Sequence, residues 1–299
     1  TFLKEIDQEE LALFDQQTQA AEAAVEVKHD TCYTLVDDDE KLAAFIRELK
    51  KQKRFAIDTE TTGVNSRIAN LVGISISWEP HKAWYLPVRG PLGCKVLLQE
   101  SALKSVKDIL EDAKIGKIGH HIKYDMQVLR NCGVELRGVC FDTLIAGWLL
   151  DPGALRRNLD ELSYHYLGIR KTATSALIGK GKAQITMDLV PVEDVSNYAC
   201  SDVDCTWQLA EKFAPLLKEA GLEPLMQEIE VPLIDVLADM EWTGIRVDPD
   251  LLRRMSKNLE VQLAAQEQDI YNLAGEKFNI GSPIQLASIL FEKLGLNSR

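Results

Sequence analysis

The spacing of apolar residues switches between strand-like and helical patterns over the first two thirds of the chain. Short apolar or alternating runs predict strands at residues 54–58, 71–78, 83–88 and 115–119. Helical spacing is found at residues 41–50, 103–110, 124–131, 141–150, 159–167 and 192–217. Because amphipathic helices of this kind can cover a sheet, the pattern predicts an α/β fold.

The pattern changes near residue 216, and beyond it only helical spacing is found. Ser282, Pro283 and Gln285 are typical of a helix start, in which Gln285 is expected to return a hydrogen bond to the cap. This change predicts an α/β domain over residues 30–218 and a separate helical segment over residues 219–299.

Charge is concentrated at the start of the chain, where residues 1–29 are expected to form an acidic linker or helix. The first 27 residues hold seven acidic residues and one basic residue. Their net charge of −6 is half of the net charge of −12 of the whole chain. The chain begins with Thr1, so we expect a piece of a longer protein. The acidic balance argues against a protein that coats duplex DNA, but not against one that holds a few nucleotides through cations.

The cellular setting is narrowed by two further features of the sequence. No apolar run reaches the roughly 18 residues needed to cross a bilayer, so we expect no membrane partner. The six cysteines form no CxxC pair, which indicates reduced thiols in a cytosolic protein.

Three acidic patterns are candidates for chemistry. Asp58 and Glu60 lie on one face at the end of the first predicted strand. Asp125 falls in the first turn of a helix, and Tyr198 and Asp202 share one face of the long helix at i, i+4 spacing. Read alone, each pattern also fits an ordinary role: a solvated turn, a carboxylate at a helix start, and a half-buried tyrosine near a surface acid.

The order of these patterns and the segments around them resemble one family. The segments FAIDTETTG, ANLVGISISWEP, GHHIKYDMQVL, ELRGVCFDTLIAGWLLDP, GKGKAQ and NYACSDVDCTWQL resemble the DEDDy-type 3′→5′ proofreading exonuclease of bacterial family A (polymerase I) DNA polymerases. The segments EIEVPLIDVLADMEWTGIRVD, AGEKFNIGSPIQL and LFEKLGL resemble the start of the polymerase region and part of its thumb.

The resemblance implies a ribonuclease H-like fold, with a mixed five-stranded sheet flanked by helices, followed by a truncated all-helical segment. It implies that Asp58, Glu60 and Asp202 bind one divalent metal. Asp58 would bridge to a second metal, which Asp125 would hold mainly through water, while Tyr198 and Glu60 position the attacking water. All-oxygen ligands favour Mg²⁺ or Mn²⁺.

The implied reaction removes nucleoside 5′-monophosphates from single-stranded or frayed DNA 3′ ends, as proofreading in replication and repair. The implied partners are a DNA 3′ end and the remainder of a polymerase chain, in a monomer located in the bacterial cytoplasm with the nucleoid. Two alternatives stay open: RNA 3′-end trimming of the ribonuclease D type, and a catalytically silent module that braces a polymerase. The polymerase-like helical segment opposes the first, and the retained carboxylates oppose the second.

The resemblance also implies a set of substrate contacts. They are Thr59, Thr61, Val64, His120, His121, Lys123 and Tyr124. His121 stands where the family usually has Asn, Val64 where Leu is common, and Thr174 where an aromatic residue often stacks. These departures predict an active enzyme with a weaker hold on the 3′ end.

Two further pairs of polar residues each have two possible roles. Lys180 and Lys182 contact the DNA backbone or form a solvated basic loop, and their spacing is not that of a phosphate-binding P-loop. The adjacent His120 and His121 are read as residues that line the cleft, in preference to metal ligands.

The sequence carries none of the later carboxylate motifs of a polymerase palm, so we predict no nucleotide incorporation by this chain. A primer–template supplied with Mg²⁺ and dNTPs is expected to show no dNTP-dependent growth of the primer on a denaturing gel. Primer extension above an enzyme-free control would contradict this prediction.

Overall fold

A mixed sheet of six strands forms the centre of the computed structural model, which describes residues 30–153 and 157–296. The acidic linker expected over residues 1–29 lies outside the described residues. The strands are β1 (Cys32–Leu35), β2 (Arg54–Thr61), β3 (Leu71–Glu79), β4 (Lys82–Pro87), β5 (Gly116–Gly119) and β6 (Val139–Asp142). Their spatial order is β1-β4-β3-β2-β5-β6. β3 is antiparallel to both of its neighbours, and the other pairs are parallel.

The expectation of five strands is therefore corrected to six. The strands at both edges, β1 and β6, were missed by the apolar pattern, and residues 141 and 142 belong to β6 although they were expected to begin a helix. Both edge strands have only four residues. So short a run provides too few alternations to establish a period of two.

Helices cover both faces of the sheet. In the first 150 residues they are α1 (Asp39–Leu49), α2 (Gln99–Leu110), α3 (Lys123–Asn131) and α4 (Thr143–Leu150). They continue with α5 (Leu159–Leu162), a π-helical turn (Ser163–Leu167), α6 (Thr174–Ile178), 3₁₀ turns at Gly181–Ala183 and Met187–Leu189, and the long α7 (Val192–Glu219). The helix expected at residues 159–167 is thus α5 followed by the π-helical turn.

Alternation along the central strand β2 divides its side chains between two apolar cores. Phe55 and Ile57 pack into the core beneath α1, α2 and α3. Ala56 packs into the opposite core, which α4 and α7 cover. Since successive strand residues face opposite sides, Asp58 and Glu60 face α7, whereas Thr59 faces α3.

The first compact unit ends at Thr243 and the second begins at Gly244. Residues beyond the expected boundary at 218/219 therefore still belong to the first unit. They form α8 (Glu223–Leu225), a π-helical turn (Met226–Glu230) and α9 (Val231–Thr243). Ile234 of α9 is buried in the core that also holds Phe55.

The second unit is helical, as expected. It contains α10 (Pro249–Ala274), α11 (Pro283–Ala287) and a π-helical turn (Ser288–Lys293). Ser282 caps α11 by accepting from the Gln285 backbone N–H. The return bond expected from Gln285 goes elsewhere, because its side chain accepts from the Asn279 N–H at 2.8 Å while the Ser282 N–H donates to the Asn279 carbonyl.

Among the described residues, none of the helices combines the length and the apolar character that a membrane crossing requires. All six cysteines are free thiols.

Gly73 allows a close packing contact beside the site, and we predict that Gly73→Ala destabilises the protein. Gly73 pairs with Glu60 across β2 and β3, and an added Cβ would lie 2.3 Å from the ring of buried Tyr85. We expect a loss of about 1–3 kcal/mol in denaturant unfolding, because the tyrosine must move. Gly63→Ala is the control, since a Cβ there meets nothing within 4 Å. Equal unfolding midpoints for the two variants would contradict the prediction.

Candidate active site

Four carboxylates meet where the carboxyl end of β2 lies between α3 and α7. Glu60, Asp125 and Asp202 are each less than one tenth exposed, and Asp58 is partly buried. Burial and the charge of Asp202 raise the pKa of Asp58 to about 7. Asp58 of β2 and Asp202 of α7 are therefore within electrostatic reach of each other.

The pKa values of Glu60 and Asp125 are also raised by burial and by neighbouring carboxylates. Burial, followed by the charges of Asp58 and Asp202, raises the pKa of Glu60 well above its usual range. Burial and the charge of Asp58 do the same for Asp125. Each carboxylate is therefore held within electrostatic reach of at least one other.

Asp125 is held from the far side of β2. It lies in the first turn of α3, and its Oδ1 accepts from the Thr59 backbone N–H at 2.8 Å and from Thr59 Oγ1 at 2.5 Å. Thr59 is 7% exposed. Although the resemblance implied a substrate contact for Thr59, its donors are directed at Asp125, so in the structure this residue positions a carboxylate.

The i, i+4 pair on α7, Tyr198 and Asp202, lies within electrostatic reach of the acids of β2. Tyr198 lies 2.8 Å, hydroxyl to hydroxyl, from Thr174 at the start of α6. Burial and the charges of Asp202 and Glu60 raise the pKa of Tyr198. The phenol therefore stays protonated near neutral pH and can donate a hydrogen bond.

A lysine that the sequence analysis did not select also reaches the cluster. The Lys171 Nζ lies 2.6 Å from Asp202 Oδ1 and 3.2 Å from Asp160 Oδ1, and its side chain is 1% exposed. Burial acts to lower the pKa of Lys171, but the charge and hydrogen bond of Asp202 and the charge of Asp160 outweigh it, and the pKa is raised. Lys171 lies in an irregular stretch between helices, where no periodic pattern could single it out.

The chemistry of this cluster fits divalent metal ions. Four carboxylates carry up to four negative charges, and Lys171 supplies one positive charge. Clustered carboxylate oxygens are the ligands that hard divalent ions prefer. As the side chains stand, no three acidic, histidine or cysteine groups among the described residues form a ready ligand set for an ion. The ammonium of Lys171 lies against Asp202, one of the expected ligands.

The expected substrate side of the cluster is an open cleft of about 710 Å³. Predicted residues on its wall are Glu60, Thr61, Val64, His121, Tyr124 and Thr174. The Tyr124 hydroxyl lies 2.5 Å from both Thr61 Oγ1 and the Gly63 carbonyl oxygen. This contact fixes the loop after β2 to α3 and leaves Val64, at 97% exposure, at its tip.

His121 is exposed and has a φ of 61°, in the left-handed region. Asn, Asp and His are the non-glycine residues that adopt this region most readily. The replacement of the family's usual Asn by His is therefore compatible with the backbone.

The other predicted contacts are already engaged with protein groups. His120 Nδ1 lies 2.9 Å from Thr143 Oγ1, and burial together with the charges of Lys171 and His121 lowers the pKa of His120 to about 3. His120 is therefore neutral at physiological pH. Lys123 Nζ forms an ion pair with Glu241 at 2.5 Å.

The basic loop residues Lys180 and Lys182 are exposed.

Asp142 has a positioning role that the sequence analysis overlooked. It is 2% exposed and caps α4 by accepting from the N–H groups of Leu144 and Ile145. Its second oxygen accepts from the Ile122 N–H at 2.8 Å, which ties the loop of His120 and His121 to α4. An acid immediately before an apolar helix is a recognisable N-cap signal.

Comparison with known proteins identifies the family of the chain. The family model of the 3′-5′ exonuclease matches residues 33–218, and that of DNA polymerase family A matches residues 249–299. The chain belongs to the 3′-5′ exonuclease family found in family A DNA polymerases.

Curated relatives are bacterial polymerases. DNA polymerase I of Pseudomonas aeruginosa is 36% identical over 280 residues, covering 92% of this chain and 31% of the relative. DNA polymerase I of Rhizobium leguminosarum is 35% identical over 297 residues, covering 93% of this chain and 29% of the relative. The chain thus spans less than a third of the length of these two relatives.

Solved structures share the fold. The POL domain of Pol1 from M. smegmatis, in complex with a DNA primer-template and dNTP, has a TM-score of 0.66 and 23% identity, covering 87% of this chain and 41% of that chain. Brucella melitensis NrnC has a TM-score of 0.56 and 21% identity, covering 73% of this chain and 98% of that chain. NrnC with bound Mg²⁺ has a TM-score of 0.53 and 21% identity, with the same coverage. The fold is the ribonuclease H-like exonuclease fold, as predicted.

The raised carboxyl pKa values predict that the metal-free protein loses stability as pH rises. In the unfolded chain these carboxyls lose their protons near about pH 4, whereas folded Asp58 keeps its proton up to about 7. The folded state therefore binds more protons in this window, and the free energy of unfolding falls as pH increases. In EDTA, Asp58→Asn is expected to reduce this dependence on pH. Above pH ~7 its free energy of unfolding is expected to exceed that of the parent by about 1–2 kcal/mol.

Urea unfolding of both proteins between about pH 4 and pH 8 measures this effect. The control is Asp108→Asn, which changes an exposed acid on α2. A slope for Asp58→Asn as steep as that of the parent would contradict the prediction.

Proposed function

We propose that this chain is a metal-dependent 3′→5′ exonuclease that removes nucleoside 5′-monophosphates from single-stranded or frayed DNA 3′ ends. The observation that carries the proposal is the convergence of Asp58, Glu60, Asp125 and Asp202 beside the Tyr198 phenol. Burial and mutual repulsion raise the carboxyl pKa values of Asp58, Glu60 and Asp125, and divalent cations would stabilise the ionised form of the cluster, which supports a requirement for them. The Mg²⁺ bound to NrnC, a protein of the same fold, also supports it.

We assign the metal ligands to the four carboxylates, with two ions as the expected number. When bound, such ions would activate the attacking water and stabilise the leaving 3′ oxygen. Their carboxylate ligands are positioned by the fold: Asp58 and Glu60 by β2, Asp202 by α7, and Asp125 by Thr59. Each ligand is therefore attached to a regular element or tied to one.

Tyr198 and Glu60 are proposed to orient the attacking water. The protonated phenol of Tyr198 has one hydrogen that it can donate to this water. Thr174 Oγ1 lies 2.8 Å from the phenol oxygen and holds it in place. His120 is neutral and paired with Thr143, which favours a role in shaping the cleft. It does not suit the task of a cationic phosphate contact.

The open cleft is proposed to receive the terminal nucleotides. Val64 at the loop tip can pack against a base, and Thr61, His121 and Tyr124 supply polar groups near Glu60. Single-stranded DNA fits this arrangement, because its unpaired bases are free to pack against Val64 and to contact the polar groups of the cleft wall. Lys123 is held by Glu241, so its contact with a phosphate would require exchange of partners.

Proofreading within a longer DNA polymerase I is the biological role that these features support. The matches to family A polymerases at residues 249–299 favour a continuation into polymerase segments as the partner of this domain. A monomer in the bacterial cytoplasm, associated with the nucleoid, is the setting that this role implies.

The test is degradation of a 5′-labelled single-stranded DNA oligonucleotide with Mg²⁺ or Mn²⁺, together with identification of the released products. We expect stepwise shortening from the 3′ end with release of 5′-monophosphates. Asp58→Ala is expected to lose at least about a hundredfold in rate, because the metal ligand set loses a carboxylate. Asp108→Ala, an exposed acid on α2, serves as the control and is expected to match the parent.

Three results would contradict the proposal. Undiminished degradation by Asp58→Ala would place the activity elsewhere. Faster degradation of a matched RNA oligonucleotide than of DNA would favour the RNA-trimming alternative, because the 2′-OH distinguishes the two substrates. Intact DNA and RNA with either metal would favour a catalytically silent module.

A further inference from the structure

Lys171 is a buried cation that reaches the carboxylate cluster at Asp202. Its ammonium is 2.6 Å from Asp202 and its side chain is 1% exposed. Among the described residues it is the basic side chain whose ion pair reaches one of the four proposed metal ligands. A lysine is rarely this buried without a paired acid, because its desolvation is costly.

The charge of Lys171 also acts on the acids of β2. It lowers the pKa values of Asp58 and Glu60, opposing their burial and their mutual repulsion. Its Nζ lies 5.7 Å from the centre of the Tyr198 ring, within the range of a cation–π contact. The ammonium thus lies where the expected ligands and the phenol meet.

A second acid connects this ammonium to solvent. Asp160, in α5, lies 3.2 Å from Lys171 Nζ, and its side chain is 48% exposed. Asp160 is not one of the four clustered acids. It therefore offers the lysine a partner that remains when Asp202 is engaged by another cation.

We propose that Lys171 is the internal counter-cation of the metal-free site, and that a divalent ion binding to Asp202 displaces its ammonium toward Asp160. This inference rests on the proposed function, since the ions are those of the proposed nuclease site. The lysine stabilises the metal-free cluster and competes with the metal for Asp202. By linkage, metal affinity is reduced by the free energy of the contact that the metal must break.

Calorimetric titration with Mn²⁺ tests the displacement in the full chain, in parallel with thermal unfolding in EDTA. Lys171→Met keeps the length of the side chain and removes its charge, so we expect Mn²⁺ to bind about tenfold tighter. We also expect the metal-free variant to unfold at a lower temperature than the parent and to gain more from Mn²⁺. Lys114→Met, at an exposed turn, is the control and is expected to match the parent in both measurements.

Asp160→Asn provides a second test that does not depend on the folding of Lys171→Met. This surface change removes the alternative partner, so Mn²⁺ is expected to bind about two- to fivefold more weakly. Mn²⁺ affinity that is unchanged or lower in Lys171→Met, or unchanged in Asp160→Asn, would overturn the displacement while leaving the proposed nuclease intact. Absence of Mn²⁺ binding by the parent itself would overturn both proposals.

Discussion

Like charges in a small buried volume repel one another, and this repulsion is the constraint around which the site is built. Two carboxylates about 4 Å apart repel by about 4 kcal/mol at an effective dielectric near 20. Burial and neighbouring carboxylates raise the pKa values of Asp58, Glu60 and Asp125 in the folded chain. Each acid is carried by an element, β2, α3 or α7, that also contributes buried residues to one of the two apolar cores.

The central strand makes this possible through alternation. Phe55, Ala56 and Ile57 anchor β2 in the two cores, and the same alternation sends Asp58 and Glu60 toward α7. Thr59 faces the other way and holds Asp125 on α3. One strand thus organises acids that are far apart in the sequence, at the cost of placing them in mutual repulsion.

Residues recognisable from local periodicity were predicted from the sequence. The shared strand face of Asp58 and Glu60, and the shared helix face of Tyr198 and Asp202, follow from repeats of two and nearly four residues. The helix start at Asp125 follows from the chain entering α3 after a strand. The resemblance of the surrounding segments then joined these local patterns into one site, and the comparisons confirmed the family.

Features set by tertiary contacts were not predicted. Lys171 lies in a stretch with no period, so its approach to Asp202 depends on how that stretch folds over α7. The contact between Thr59 and Asp125 could not be predicted from a local pattern, because the two residues are 66 positions apart in the sequence. The edge strands β1 and β6 are too short to show a period, so the apolar pattern, which predicted four strands, missed both of them.

The central claim is that this pocket of acids is a site for divalent cations, for which the lysine substitutes when they are absent. A crystal of the full chain soaked in Mn²⁺ and measured at the manganese absorption edge tests it most directly. The account predicts anomalous density between β2 and α7, contacted by Asp58, Glu60 and Asp202, with the Lys171 ammonium moved off Asp202. Density confined to other acidic surfaces, with Lys171 still bound to Asp202, would contradict it.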